Sequence, residues 1–413
     1  MRILWVKMGG LWPPTSGGRI RSLQILSALA RQHEVTVLTT HGPDDDADGL
    51  VDRLPGCLVY SVPFTAPRQG SSAFALALGR SWLSPLPVDL WKWRSGAVRE
   101  QVASILTHRQ PDVCVADFLV AVANVPRVKG IPFVLFEHNV EYMIWKRLAA
   151  LEQRPIRRAL LEIEWRKVRQ AERAACARAD LTIAVSEEDR RELQRLSPDS
   201  RMAAIPTGVD TAFFKPNGPP AAGNRLVFTG SMDWYPNEDA MLYFGSAILP
   251  RIRSYIPDVS VTIVGRNPSA HLREAAQEMG MTVTGTVDDV RPYMSEAAVY
   301  VVPLRAGGGT RLKIFEALAM GMPVVSTTVG AEGLALTQGR DVCLADDPDE
   351  FAGAVIGLLD DAPRRQEIGD AGRLLVETRY SWDQVAADFH RCCRTVLDDG
   401  RPVHAPLIER TTY

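Results

Sequence analysis

Residues 299–327 read VYVVPLRAGGGTRLKIFEALAMGMPVVST, and the order of patterns inside them decides the fold. A β-branched run, VYVVPL (299–304), ends at a proline and leads into three consecutive glycines. A helical pattern follows from near Thr310 and stops at Gly321, and the next β-branched run, PVVST (323–327), starts at once. Strand, loop, helix and strand in that order build a parallel sheet with crossover helices.

The same alternation extends in both directions. Toward the N-terminus of this half lie RLVFTG (225–230), SVTIVG (260–265) and MTVTG (281–285), and beyond the quoted stretch lies DVCLA (341–345). The first half repeats the pattern with RILWV (2–6), EVTVLTT (34–40), CLVYSVPF (57–64), DVCVADF (112–118), PFVLFEH (132–138) and LTIAVS (181–186). Helical segments separate them, as with Val98, Val102, Ile105 and Leu106 at i, i+4, i+7 and i+8; the longest runs from about Arg157 to Ala179. PNGPPAAGN (216–224) is the clear Pro/Gly-rich linker between the two series. The expected architecture is α/β, with two Rossmann-like domains facing each other across a cleft. Their expected spans are 1–205 and 206–380, followed by a C-terminal helix and tail, 381–413, that packs on its own domain or crosses back to the first.

Length and composition agree. A chain of 413 residues, 46% hydrophobic and 23% charged, buries large cores and divides into two or three domains. The net charge of −2 hides an asymmetry: residues 1–205 carry 28 Lys/Arg against 22 Asp/Glu, and the remainder carries 19 against 27. A nucleic-acid binder is disfavoured, while the first half suits contact with something anionic. Six cysteines without CxxC spacing predict a reduced, cytoplasmic protein with no structural metal. No apolar run approaches the roughly 20 residues needed to span a bilayer, so the expectation is a soluble chain or one held at the inner membrane face.

The chemistry concentrates in GGGTRLKIFEALAMG (307–321). Gly307, Gly308 and Gly309 let backbone approach a ligand, and the first helical turn from Thr310 offers unpaired N–H groups to an anion. Arg311 and Lys313 place cations in that same turn, where the helix dipole disfavours them unless an anion is bound. Glu316 is suited to accept hydrogen bonds from a vicinal diol. The other reading is a glycine loop with a solvated surface helix. A P-loop is excluded, because GxxxxGK[ST] is absent.

With these residues in view, the segment resembles the donor-binding motif of family-four retaining glycosyltransferases of the GT-B fold. The resemblance covers nearly the whole chain in order: PPTSGGRIRSLQILSALARQHEVTVLTT, FEHNVEY, IAVSEEDRREL, IPTGVDTAFFKP, FTGSMDWYPNEDA, TIVGRNP and TGTVDDVRPYM. It implies that Gly17 and Gly18 lie against the donor diphosphate, with Arg19 and Arg21 adding charge there or standing solvated. It implies that His138, flanked by Glu137 and Glu141, sits beside the reacting sugar and acceptor. Glu316 matches the glutamate that binds the ribose, and Gly285, Thr286 and Val287 match the base-binding loop. Gly230, Gly308, Gly309 and Thr310 fall in the donor-binding loops.

Two departures accompany the match. The first glutamate of the family pair is replaced by Gly308, and the usual Arg and Lys at the diphosphate are missing from FTGSMDWYPNEDA, where Ser231, Met232 and Asn237 stand. Arg311 and Lys313 are expected to supply the missing charge, with Arg266 as a third cation. The implied reaction transfers a hexose-type sugar from a nucleoside-diphosphate sugar to a hydroxyl, with retention and with no metal or cofactor. DDVRPY (288–293) and DDPDE (346–350) read as turn and cap carboxylates.

The acceptor is a polysaccharide, glycolipid or other glycoconjugate precursor, lipid-linked if the chain works at a membrane. Residues 73–94, with three tryptophans among cations, fit a membrane interface or a core-packed hairpin. The rival functions are a nucleotide-sugar 2-epimerase and a non-catalytic sugar- or nucleotide-binding partner of a glycosyltransferase complex. A dinucleotide oxidoreductase is the weakest reading, because no GxGxxG follows a strand and no acidic residue is suitably spaced.

Overall fold

The structure is a computed structural model, and it describes residues 1–67, 70–127, 129–152, 154–218, 221, 223–306 and 312–398. The chain forms two compact units: Met1–Pro206 together with the chain from Val385, and Thr207–Gln384.

The first unit holds seven parallel strands: β1 (Arg2–Lys7), β2 (Glu34–His41), β3 (Cys57–Pro63), β4 (Val113–Asp117), β5 (Phe133–Phe136), β6 (Leu181–Ala184) and β7 (Met202–Ala204). Their order is β3-β2-β1-β4-β5-β6-β7. Leu4 of β1 pairs with Thr36 on one side and Cys114 on the other, so β1 is central. Strands covered by helices on both faces read as continuous apolar runs rather than alternating ones, and β4 and β5 are buried at every position. Six of the strands coincide with the expected runs. The seventh, β7, was not anticipated; it is three residues long and pairs only with β6.

Helix Trp382–Asp398 passes from one unit to the other. Trp382 packs under Gly208, where an added Cβ would meet its ring at 2.6 Å. From Val385 onward the helix belongs to the first unit, with Phe389 fully buried between Trp5 and Phe136 at centroid distances of 5.2 and 5.3 Å. Each such aromatic pair adds about 0.5–1.5 kcal/mol beyond area burial.

The second unit holds six parallel strands: β8 (Arg225–Thr229), β9 (Ser260–Val264), β10 (Thr282–Val283), β11 (Val299–Val302), β12 (Val324–Ser326) and β13 (Cys343–Leu344). Their order is β10-β9-β8-β11-β12-β13, and all six fall on expected runs. Two apolar clusters flank the sheet, one built around Phe228, Phe244 and Phe351 and the other around Tyr300, Phe315 and Val324. Asp347 caps helix Pro348–Asp360 by accepting from the backbone of Asp349 and Glu350, the role expected of DDPDE. Among the described residues no helix is long and apolar enough to cross a membrane.

Candidate active site

In each sheet the strand order reverses once, between β1 and β4 and between β8 and β11. Open α/β sheets bind ligands beyond the carboxyl ends of their strands at such a reversal. The expected site residues that the structure describes fall on those edges or on the helices that follow them.

In the first unit, Lys7 ends β1, Asp117 ends β4, and His138 follows β5. Asp117 is fully buried and receives three donors: Trp5 Nε1 at 2.8 Å, Lys7 Nζ at 3.2 Å and His138 Nε2 at 2.7 Å. Burial alone would raise the Asp117 carboxyl, but the Lys7 ammonium and His138 hold it below the usual carboxylate range. Burial pushes the His138 imidazole down to about 3, against the opposing pull of Asp117. Since a carboxylate only accepts, a neutral His138 carries its proton on Nε2 and keeps a lone pair on Nδ1. The ring is held flat against Phe118, with centroids 3.8 Å apart and 10° between planes. Phe118 itself adopts φ +73°, a conformation that side-chain-bearing residues rarely take.

Gly18 completes this corner. A Cβ there would stand 2.5 Å from the Phe118 ring and 3.6 Å from His138 Nδ1. Glycine is therefore what allows the first turn of helix Gly17–Leu29 to lie against the His138–Phe118 stack. The structure thus brings Gly17, Gly18 and His138 together.

Arg19 and Arg21 both have partners within the first unit. Arg19 pairs with Asp45 at 2.7 Å and donates to the carbonyls of Pro13 and Gly9. Arg21 is buried, donates to the carbonyls of Glu137 and Ile205, and is pushed down to about 9 by burial. Arg21 is thus held in the core, while Arg19 is held in the loop and stays partly exposed. Glu137 is wholly buried and its carboxyl is raised, first by burial and then by Glu172 and Glu141. Glu172 accepts from the backbone N–H groups of Glu141 and Tyr142 at 2.8 and 3.1 Å, which caps helix Glu141–Leu151 from its neighbour.

In the second unit, Lys313 and Glu316 stand on helix Leu312–Ala319, three residues apart and hence on one face. Lys313 Nζ donates to Asn237 Oδ1 at 2.7 Å and lies 4.1 Å above the centre of the Phe228 ring. A Cβ on Gly230 would fall 2.8 Å from that same Nζ, so the ammonium rests against the end of β8. Arg266, after β9, donates Nε to Ser231 Oγ at 2.7 Å and is otherwise exposed. Gly265 passes so close to the Gly230 carbonyl that any side chain would collide with it. Glu316 is pushed up to about 7 by burial, with Lys313 pulling the other way.

Of the three expected cations, the structure describes Lys313 and Arg266. Asn237 and Ser231 replace a basic pair, and each receives a cation from another element: Lys313 for Asn237 and Arg266 for Ser231. Met232 is instead part of the core, 1% exposed. Gly308, Gly309, Thr310 and Arg311 lie outside the described residues, as does the start of the helix expected near Thr310. Gly285 takes φ +76° and Val287 packs on the apolar cluster beneath it, both beyond β10 on the same sheet edge.

Lys7 and Asp117 were not among the expected site residues. Their signal was a single charge ending an otherwise apolar strand, as in ILWVK and VCVAD. A buried charge needs a partner, and each supplies the other's.

Comparison with known proteins agrees with this fold. The family profile described as Glycosyltransferase Family 4 matches residues 15–213, and the one described as Glycosyl transferases group 1 matches residues 223–361. A phosphatidyl-myo-inositol mannosyltransferase of Mycolicibacterium smegmatis is 34% identical over 230 residues, covering 53% of this chain and 58% of that protein. The chain thus spans a little under three fifths of that relative's length. Among solved structures, sucrose-phosphate synthase from Thermosynechococcus elongatus superposes with a TM-score of 0.66 at 18% identity, covering 96% of this chain and 100% of the other. HepE of Anabaena in complex with UDP gives 0.63 at 14% identity, with coverage of 96% and 100%. At such identities the structural likeness is one of fold.

Proposed function

The chain belongs to the family-four glycosyltransferases of the GT-B fold, and from that premise we propose that it moves a sugar from a nucleoside-diphosphate sugar to a hydroxyl acceptor, with retention and without a metal ion. The observation that carries this reading is the pairing of Lys313 with Asn237 and of Arg266 with Ser231 at the end of β8. Two cations from separate elements converge on the loop where the family holds a diphosphate. This favours an active transferase over a non-catalytic binding partner, whose main support was the missing basic pair.

In this reading Lys313 and Arg266 take up charge on the departing diphosphate, the role a metal ion plays elsewhere. Hydrogen bonds to charged groups contribute on the order of 1.5–3 kcal/mol each. Glu316 accepts from the ribose hydroxyls. Its raised affinity for a proton falls once a diol donates to it, because such bonds favour the carboxylate. His138 offers its Nδ1 lone pair to the hydroxyls at the sugar end. The departing phosphate oxygen takes the acceptor's proton on the face where the new bond forms, which preserves the anomeric configuration. The mannosyltransferase relatives support a hexose donor, and the name of the Mycolicibacterium protein supports an acceptor built on a phospholipid.

A thermal-shift panel of UDP, GDP, ADP and dTDP tests the reading. One nucleotide at about 100 times its dissociation constant should add about 2.7 kcal/mol of stability, and Glu316→Ala should abolish that gain. The same nucleoside diphosphate should then be released from its sugar donor only when acceptor is present, and equally in EDTA. Release or epimerisation without acceptor would overturn transfer in favour of the epimerase.

A further inference from the structure

At the reversal in the second sheet, β8 and β11 separate before either strand ends. Among the described residues they pair at Leu226 with Val299 and at Val227 with Tyr300, and no further. Beyond that point β8 stays with β9 as far as Thr229 and Val264, while β11 stays with β12 as far as Val302 and Ser326. The gap between them is the crevice in which open α/β sheets take their ligands.

Opening that gap leaves a backbone donor without a strand opposite it. Gly230 N–H turns toward β9 and donates to the Val264 carbonyl at 3.0 Å. Successive donors alternate in direction along a strand, so the Thr229 N–H turns toward the gap. A buried N–H has to find an acceptor, and here it is a side chain. Thr229 N lies 3.3 Å from Tyr300 Oη, and the two hydroxyls share a hydrogen bond of 2.6 Å. Tyr300 is wholly buried; burial raises its phenol, with the Glu316 carboxyl adding to the effect, so the hydroxyl keeps its proton. Phenylalanine would fill the same place in the cluster with Phe315 and Val324. The hydroxyl serves only the end of β8.

That strand end carries the site. Lys313 Nζ lies 2.8 Å from where a Gly230 Cβ would stand. Asn237 receives Lys313 on Oδ1 and donates Nδ2 to the Ser231 carbonyl at 2.8 Å. Thr229, Gly230 and Ser231 are consecutive, so a shift of Thr229 moves both the surface under the ammonium and the carbonyl that orients its amide partner.

We propose that Tyr300 is a positioning residue of the donor site: its hydroxyl stands in for the missing strand between β8 and β11 and fixes the seat of Lys313. The proposal rests on the reading of Lys313 as a cation for the diphosphate and adds a residue that acts through Thr229 and Gly230.

A double-mutant cycle tests it, by calorimetry with whichever of UDP, GDP, ADP and dTDP binds the parent chain. Tyr300→Phe should weaken that nucleoside diphosphate by about three- to tenfold, within the range for groups in one hydrogen-bond network, and leave affinity for the nucleoside alone unchanged. In a Lys313→Ala background the same change should cost less than about twofold, because the cation it positions is gone. Hydrogen exchange gives a readout without ligand: the Thr229 amide should quicken about tenfold relative to that of Gly230 in Tyr300→Phe, the loss of one hydrogen bond. If Tyr300→Phe does not fold, Thr229→Val removes the shared hydroxyl bond and should show the same non-additivity with Lys313→Ala. Equal losses in both backgrounds, unchanged affinity of Tyr300→Phe, or unchanged exchange at Thr229 would overturn the proposal. A parent chain that binds none of the four nucleotides would overturn the donor reading and the proposal with it, whereas binding with additive losses overturns the proposal alone.

Discussion

The two sheet edges handle charge in opposite ways. In the first unit Lys7, Asp117 and His138 are all buried, and each satisfies another, so the charge pattern is set before any ligand arrives. In the second unit Lys313 donates to Asn237 Oδ1 and Arg266 to Ser231 Oγ, with the Glu316 and Asp233 carboxylates near enough to interact with them, and Arg266 remains open to water. A neutral partner positions a cation without cancelling it. One edge is thus a buried network that fixes the tautomer of a histidine; the other holds its cations by hydrogen bonds to an amide and a hydroxyl nearer the surface.

The contrast breaks most severely at Asp117. Asp117→Asn leaves the buried Lys7 without its counter-charge, and removing one partner of a buried pair costs about 3–5 kcal/mol. The melting temperature should fall accordingly, and nitrogen NMR of His138 should lose the single Nε2–H tautomer. Unchanged stability together with an unchanged tautomer would show that the network does not position the ring.

A smaller effect sharpens the comparison through pH. Burial pushes Glu172 up to about 8 and Glu141 up to about 7, so the folded chain holds protons that the unfolded chain has released. Their stabilising contribution is complete below about pH 4.5 and is lost as pH rises toward about 8. Glu172→Gln removes the titration and keeps one acceptor oxygen for the two N–H groups, of Glu141 and Tyr142, that the carboxylate receives on Oε1 and Oε2. Denaturant midpoints should then fall less between pH 5 and 8 than those of the parent, whatever constant cost the lost hydrogen bond adds at every pH. Glu137 and Glu141 leave a residual slope. A parent slope identical to the variant's would remove Glu172 from the account.

How far all this was legible in the sequence follows from the range of the signals. The strands were readable because parallel strands buried on both faces are continuous β-branched runs between turn residues. The exception, Met202–Ala204, has a short alanine-rich pattern and gains its strand character from pairing with β6. Glycines 17, 18 and 230, with His138, Lys313 and Glu316, were readable from local motifs. The partners were not, because they are distant in sequence: Lys313 is 76 residues from Asn237, and His138 is 21 from Asp117. For Arg21, the sequence suggested ligand contact or solvent, while the distant carbonyls of Glu137 and Ile205 hold it in the core.

The most direct test of the donor site is a calorimetric titration of the preferred nucleoside diphosphate into the parent chain, Lys313→Ala and Arg266→Ala. Lys313→Ala should weaken binding by about 10- to 150-fold, the equivalent of one charge-assisted hydrogen bond of 1.5–3 kcal/mol. Arg266→Ala, more exposed, should weaken it less, and both losses should shrink for the nucleoside alone. Equal affinity of parent and Lys313→Ala for the diphosphate would contradict the assignment of that ammonium to the diphosphate.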